Sequence, residues 1–68
     1  MSVGRVTEIT AMSATSFDEA IKEGIERATK TLRGIQSAWI KDQEVKISNG
    51  QISGYEVTLR VTFLLEDA

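Results

Sequence analysis

The chain has no cysteine, no histidine and no proline among its 68 residues. Without cysteine there are no disulfides and no thiolate metal sites. Without histidine the common zinc constellations and a histidine general base are missing too. Together these absences argue against serine, cysteine and metal-water hydrolysis in their usual forms. Without proline, breaks between elements must come from glycine and polar clusters. No stretch approaches the roughly 20 apolar residues that cross a bilayer. The opening Met1-Ser2-Val3-Gly4-Arg5 lacks the apolar core of a signal peptide, so a cytoplasmic location is expected. An excess of positive charge is also lacking. Lys and Arg total 8 against 10 Asp and Glu, a net charge of −2, which leaves no basic footprint for nucleic acid.

A hydrophobic content of 41% is ordinary for a soluble fold and argues against disorder. The length supports a single domain over residues 1–68 and no more. A chain this short buries only about 60% of the surface its unfolded form exposes. Small chains compensate with disulfides, a metal or partner subunits. With the first excluded and the common metal constellations missing, self-association is the expected device.

Four segments are legible. Residues 3–12, Val-Gly-Arg-Val-Thr-Glu-Ile-Thr-Ala-Met, are rich in β-branched types and read as a strand, although Val3, Val6 and Ile9 do not share a face. Ser16-Phe17-Asp18-Glu19 has the form of a capping box opening a helix. Apolar or small residues at 17, 20, 21, 24, 25, 28, 32 and 35 follow the helical period. Asp18–Lys22, Glu23–Arg27 and Glu26–Lys30 are favourably spaced ion pairs on its charged face, and Gly34 is expected to stop it in a left-handed conformation. Ser48-Asn49-Gly50-Gln51 carries the Asn-Gly signal of a two-residue type I′ hairpin turn. Beyond it Tyr55, Val57, Leu59, Val61, Phe63 and Leu65 alternate with Glu56, Thr58, Arg60, Thr62 and Leu64. The first set is expected to face the helix. The order is β-α-β-β. The fold class is α+β, a three-stranded antiparallel sheet wrapped on one helix, with the last strand in the middle.

A bulge-free hairpin register pairs Ile40 with Leu59 on the helix side. On the far side it pairs Trp39 with Arg60, Lys41 with Thr58, Gln43 with Glu56 and Ile47 with Ile52. The far face then carries Trp39, Val45, Ile47, Ile52 and Leu64, which one helix cannot cover. An exposed apolar patch of this kind marks a partner surface or a ligand groove. Trp39 reads either as an interface anchor or as a platform for a planar ligand, with Arg60 or Glu56 as a polar handle. A plain cation–π contact between Trp39 and Arg60 is a further reading.

Four stretches in order resemble the dodecin family: Ser13-Ala14-Thr15-Ser16 before the helix, Arg27-Ala28-Thr29-Lys30-Thr31-Leu32-Arg33 at its end, Asn49-Gly50-Gln51-Ile52 at the turn, and Tyr55-Glu56-Val57-Thr58-Leu59-Arg60-Val61-Thr62-Phe63 in the last strand. Each is weak alone; together they span nearly the whole chain. The resemblance implies a hollow homododecamer that binds and sequesters a small molecule, a flavin such as riboflavin or FMN, without enzymatic activity. Flavin-binding members carry a tryptophan at the position of Ser37, whereas this chain has Trp39 two places on, which keeps it on the same strand face. They carry a glutamine at the position of Glu56, and a carboxylate lacks the donor half of an amide's pairing. Trp39, Glu56, Ser37, Arg60 and Gln43 are therefore the candidate ligand-binding residues. The stretch Ala38-Trp39-Ile40-Lys41-Asp42-Gln43 looks closer to a subgroup that includes calcium dodecins. Calcium takes six to eight oxygens, and Asp42, Glu44 and Glu56 from neighbouring subunits are the candidate donors. The alternative function is accordingly a shell that binds a metal ion such as calcium or serves a structural role.

Overall fold

The computed structural model describes residues 3–65, so Met1 and Ser2 and positions 66–68 lie outside the described residues. The elements are β1 (Gly4–Ser13), α1 (Phe17–Thr31), β2 (Ile35–Ser48) and β3 (Gln51–Leu64). The sheet order is β1-β3-β2, with β3 antiparallel to both neighbours, as the sequence leads one to expect.

The junction between β1 and α1 rests on two serines. Ser13 Oγ accepts from the backbone N–H of Thr15 at 3.0 Å and of Ser16 at 3.4 Å, turning the chain out of the sheet. Ser16 Oγ then accepts from the Glu19 N–H at 3.0 Å. Only this half of the capping box closes, because the Ser16 N–H donates to Ser13 instead of to Glu19. Asp18 and Glu19 sit in the first turn and Lys30 in the last, matching the helix dipole. The stop differs from expectation. The helix ends at Thr31 with Leu32 as an extended C-cap, and Gly34 (φ 69°) serves the following turn, where its carbonyl accepts from the Leu64 N–H at 3.0 Å. None of the three anticipated helical ion pairs is among the salt bridges of the described residues.

The hairpin turn has Asn49 at φ 54° and Gly50 at φ 75°, the two positive values that a type I′ turn needs. The strand alternation also holds: Val57, Leu59 and Val61 are fully buried beneath the helix, against Ala20. Three bulges interrupt the β2–β3 register, one at Gln36 near the start of β2 and two that bracket the middle of the hairpin. Ser53 is an extra residue on β3 and Lys41 one on β2, so the pairings are Asp42–Thr58, Gln43–Val57, Glu44–Glu56 and Val45–Tyr55. Lys41–Thr58 and Gln43–Glu56 are thereby overturned. The second bulge cancels the first, so Trp39–Arg60 and Ile40–Leu59 stand, as does Ile47–Ile52 near the turn. A one-residue shift moves side chains to the opposite face. Gln43, paired with buried Val57, and Val45, paired with Tyr55, lie on the helix side, and alternation along β2 puts Ile47 there with its partner Ile52. The far face keeps Trp39 and Leu64 and gains Val6 and Met12 from β1.

The helix packs over β1 and β3 and barely reaches β2. Fifteen helical residues span about 22 Å, whereas fourteen residues of strand span about 46 Å. The end of the hairpin that carries the turn therefore projects as a two-stranded arm. The subunit extends 53 Å along its long axis, and its radius of gyration is 14.1 Å, against about 11 Å for a compact chain of this length. Ile47 and Ile52 on the arm are 67% and 54% exposed. Isolated two-stranded hairpins are marginal in water, so the arm needs cover from outside the subunit.

Two outcomes follow. Replacing both Ile47 and Ile52 by lysine should reduce the particle mass seen by light scattering on a sizing column, because the arm then carries charge into its covering surface. Gly24→Val should lower stability by about 1–3 kcal/mol through overpacking, read from the denaturant midpoint, since even a Cβ at Gly24 would lie 3.1 Å from Ala11 Cβ and 3.3 Å from Leu59 Cδ1.

Candidate functional site

The far face of the sheet carries a row of charge beside the tryptophan. Register aligns Glu8 on β1, Arg60 on β3 and Trp39 on β2 side by side. The bulge keeps Lys41 on the same face, two residues beyond Trp39. Arg60 Nε donates to Glu8 Oε2 at 3.1 Å, and Lys41 Nζ donates to the same oxygen at 3.2 Å. One carboxylate oxygen thus ties the three strands together. Both cations hold the Glu8 carboxyl below its ordinary value of 4.5, with Lys41 the larger influence. Arg60 is engaged by Glu8, and the aromatic contact recorded among the described residues is the edge-on pair Phe17–Tyr55, not a Trp39–Arg60 stack.

Trp39 is 73% exposed, the most exposed of the large apolar side chains among the described residues. With Ile40, Lys41 and Arg60 it lines a cleft of ≈ 260 Å³. That volume falls just below the roughly 300–1,000 Å³ of a typical small-molecule site. Ser37 lies two pairings further from the turn, on the same face, opposite Thr62. Glu56 lies toward the turn, directly opposite Glu44, and these two carboxylates share Lys46, whose Nζ is 3.2 Å from Glu44 Oε2 and 3.6 Å from Glu56 Oε1. Glu44 is the main cause that raises the Lys46 ammonium above its ordinary value of 10.5. Of the five candidate residues, Trp39, Arg60, Ser37 and Glu56 share this face, and Gln43 lies on the other. Lys41, expected on this face, and Glu8, which was not foreseen, join them: Glu8 reaches Lys41 and Arg60 across sequence separations of 33 and 52 residues, and only β1's register against β3 could have revealed it.

A larger cavity of ≈ 490 Å³ lies between β1 and α1, lined by Ile9, Ala11, Met12, Gly24, Arg27 and Ala28 among others. It has no aromatic platform, so it is the weaker candidate for a planar ligand. Among the described residues no group of three or more acidic side chains is placed to hold a metal ion, and no helix is long and apolar enough to cross a membrane.

A sequence profile described as Dodecin matches residues 3–66. The chain belongs to the dodecin family. Calcium dodecin of Mycobacterium tuberculosis is 29% identical over 68 residues, which covers 100% of this chain and 96% of that protein. The structure of dodecin from Streptomyces davaonensis superposes with a TM-score of 0.92 at 33% identity, covering 97% of both chains. That of the M. tuberculosis calcium dodecin, described as calcium-chelating with a novel calcium-binding site, gives 0.82 at 29% identity, covering 98% of this chain and 96% of that one. The dodecin fold thus spans all four elements.

The two perturbed groups set a pH window. A lowered carboxylate stabilises the fold above its ordinary value and loses that contribution as pH falls through the lowered one. A raised ammonium contributes below its ordinary value and loses it as pH rises through the raised one. Both are present between 4.5 and 10.5. Denaturant midpoints measured against pH should show this plateau, and Glu8→Gln should flatten the acid flank.

Proposed function

We propose that the chain is a non-enzymatic, cytoplasmic subunit, one domain over residues 1–68, of a hollow homododecamer that binds and buffers a flavin at subunit interfaces. The observation that carries this reading is Trp39, 73% exposed on the sheet face away from the helix, beside a small open cleft. A second copy facing it would complete the volume and sandwich the planar ligand. Arg60, Lys41 and Ser37 then border the ring, and Glu56 accepts from a ring N–H without donating. Gln43 has no part in this site, since its pairing with Val57 turns it to the helix side. Twelve copies and the flavin are both taken from the family.

The second reading is calcium binding, which the 29% identity to a calcium dodecin favours. Asp42, Glu44 and Glu56 would be its donors across an interface. Lys46 weighs against it: its ammonium already sits 3.2 Å and 3.6 Å from the Glu44 and Glu56 carboxylates, and a cation would have to displace it.

Flavin fluorescence should be quenched on titration with the pure protein at micromolar flavin. Trp39→Ala should weaken binding by more than about 1 kcal/mol if the indole stacks. Absence of quenching contradicts the flavin reading, and calcium heats in a calorimeter would then support the second.

A further inference from the structure

We propose that the tip of the arm, Asn49-Gly50, is a modification site at which Asn49 deamidates, chiefly to isoaspartate, and that this chemistry loosens the arm. Asn49 is the only asparagine of the chain. The reacting nucleophile is the backbone nitrogen of Gly50. Glycine brings no side chain to shield it, and a Cβ built at Gly50 would meet nothing within 4 Å, so the space around the nitrogen is open to water. Neither the Asn49 side-chain amide nor the Gly50 N–H has a hydrogen-bond partner among the described residues.

The place of the turn in the fold lets it reach the reacting geometry. Ring closure bends the Asn49 side chain back onto the following peptide, so the type I′ turn, with φ 54° and 75°, must open as the ring forms. Little opposes that opening. The bulge at Ser53 leaves only the pairings Ile47–Ile52 and Ser48–Gln51 between itself and the turn. Every residue from Ile47 to Ser53 is exposed, and the helix barely reaches β2. The tip can therefore open locally while Val57, Leu59 and Val61 stay sealed under the helix.

The reaction balances with water alone. The Gly50 nitrogen gives its proton to hydroxide and bonds to Asn49 Cγ; the bond from Cγ to the amide nitrogen breaks, and ammonia leaves. Water then opens the five-membered succinimide. Cleavage of the new bond leaves aspartate at position 49. Cleavage of the original peptide bond leaves isoaspartate, in which the main chain runs through the former side chain. Both products add one negative charge to a chain already at −2. Isoaspartate also adds a methylene to the backbone, which a two-residue turn has no room for. Because the turn fixes the hairpin register, the Ile47–Ile52 pair loses its alignment, and with it the surface that the arm presents for cover.

The test is to age the full chain in warm, mildly alkaline buffer and map it by trypsin and mass spectrometry, with a synthetic peptide of residues 47–60 aged beside it. Cleavage after Lys46 and Arg60 releases the same segment, which holds Asn49. The acid form should appear as two separable isomers, the larger a substrate for an isoaspartyl methyltransferase, and faster as pH rises. Its rate in the folded chain should lie within about a hundredfold of the free peptide's, since opening the tip needs only a local free energy. Asn49→Gly keeps a residue suited to positive φ and should not age. Aged wild type should run at a lower particle mass on a sizing column, and aged Asn49→Gly should not. An intact amide in the folded chain after the free peptide has converted overturns the site, as does a product that is aspartate alone. Isoaspartate without a change in particle mass overturns its effect on the arm.

Discussion

The mismatch between a short helix and a long hairpin governs this molecule. A helix of about 22 Å cannot cover strands of about 46 Å. The small helix residues Ala20, Gly24 and Ala28 bring α1 close over β1 and β3, and that closeness seals Val57, Leu59 and Val61. It leaves β2, the projecting arm and the whole far face without cover from the same chain. With no cysteine and no histidine, the chain has neither disulfides nor the common metal constellations to make up the deficit. What remains is surface for other copies, and any ligand that sits between copies inherits that geometry.

The far face is divided by charge as well as by shape. At the Trp39 end Glu8 ties Lys41 and Arg60 across three strands, and at the arm end Lys46 holds Glu44 and Glu56 apart from one another's repulsion. Exposed pairs of this kind contribute little stability each. Their effect is to fix long side chains in place on an otherwise open sheet, leaving Trp39 as its one large aromatic surface. A ligand meeting this face encounters a flat ring, flanking cations and a negative approach from the other side.

Much of the fold was legible. Asn49-Gly50 located the turn, the alternation from Tyr55 to Phe63 chose the buried face, and Ser16 with the spacing of Ala20, Gly24 and Ala28 located the helix. The bulges were not legible, because an extra residue in a strand is a backbone event that most residue types tolerate. One hint was present in Gly54, since a glycine inside a strand pattern often accompanies a bulge; it directly follows the extra residue Ser53. Missing it misplaced Val45, Ile47, Ile52 and Gln43, while compensation at Lys41 preserved the Trp39–Arg60 pair by which the site was found. Glu8 was beyond reach for a different reason: its partners are set by the β1 register, and only the hairpin register is fixed by a local turn.

The central claim is that the subunit is incomplete alone and is completed by its copies. The most direct measurement is the denaturant midpoint determined over a hundredfold range of protein concentration. Folding coupled to association makes stability depend on protomer concentration, so the midpoint should rise as the protein is concentrated. A midpoint that stays constant, with a folded monomer on sedimentation at the lowest concentration, would contradict the account.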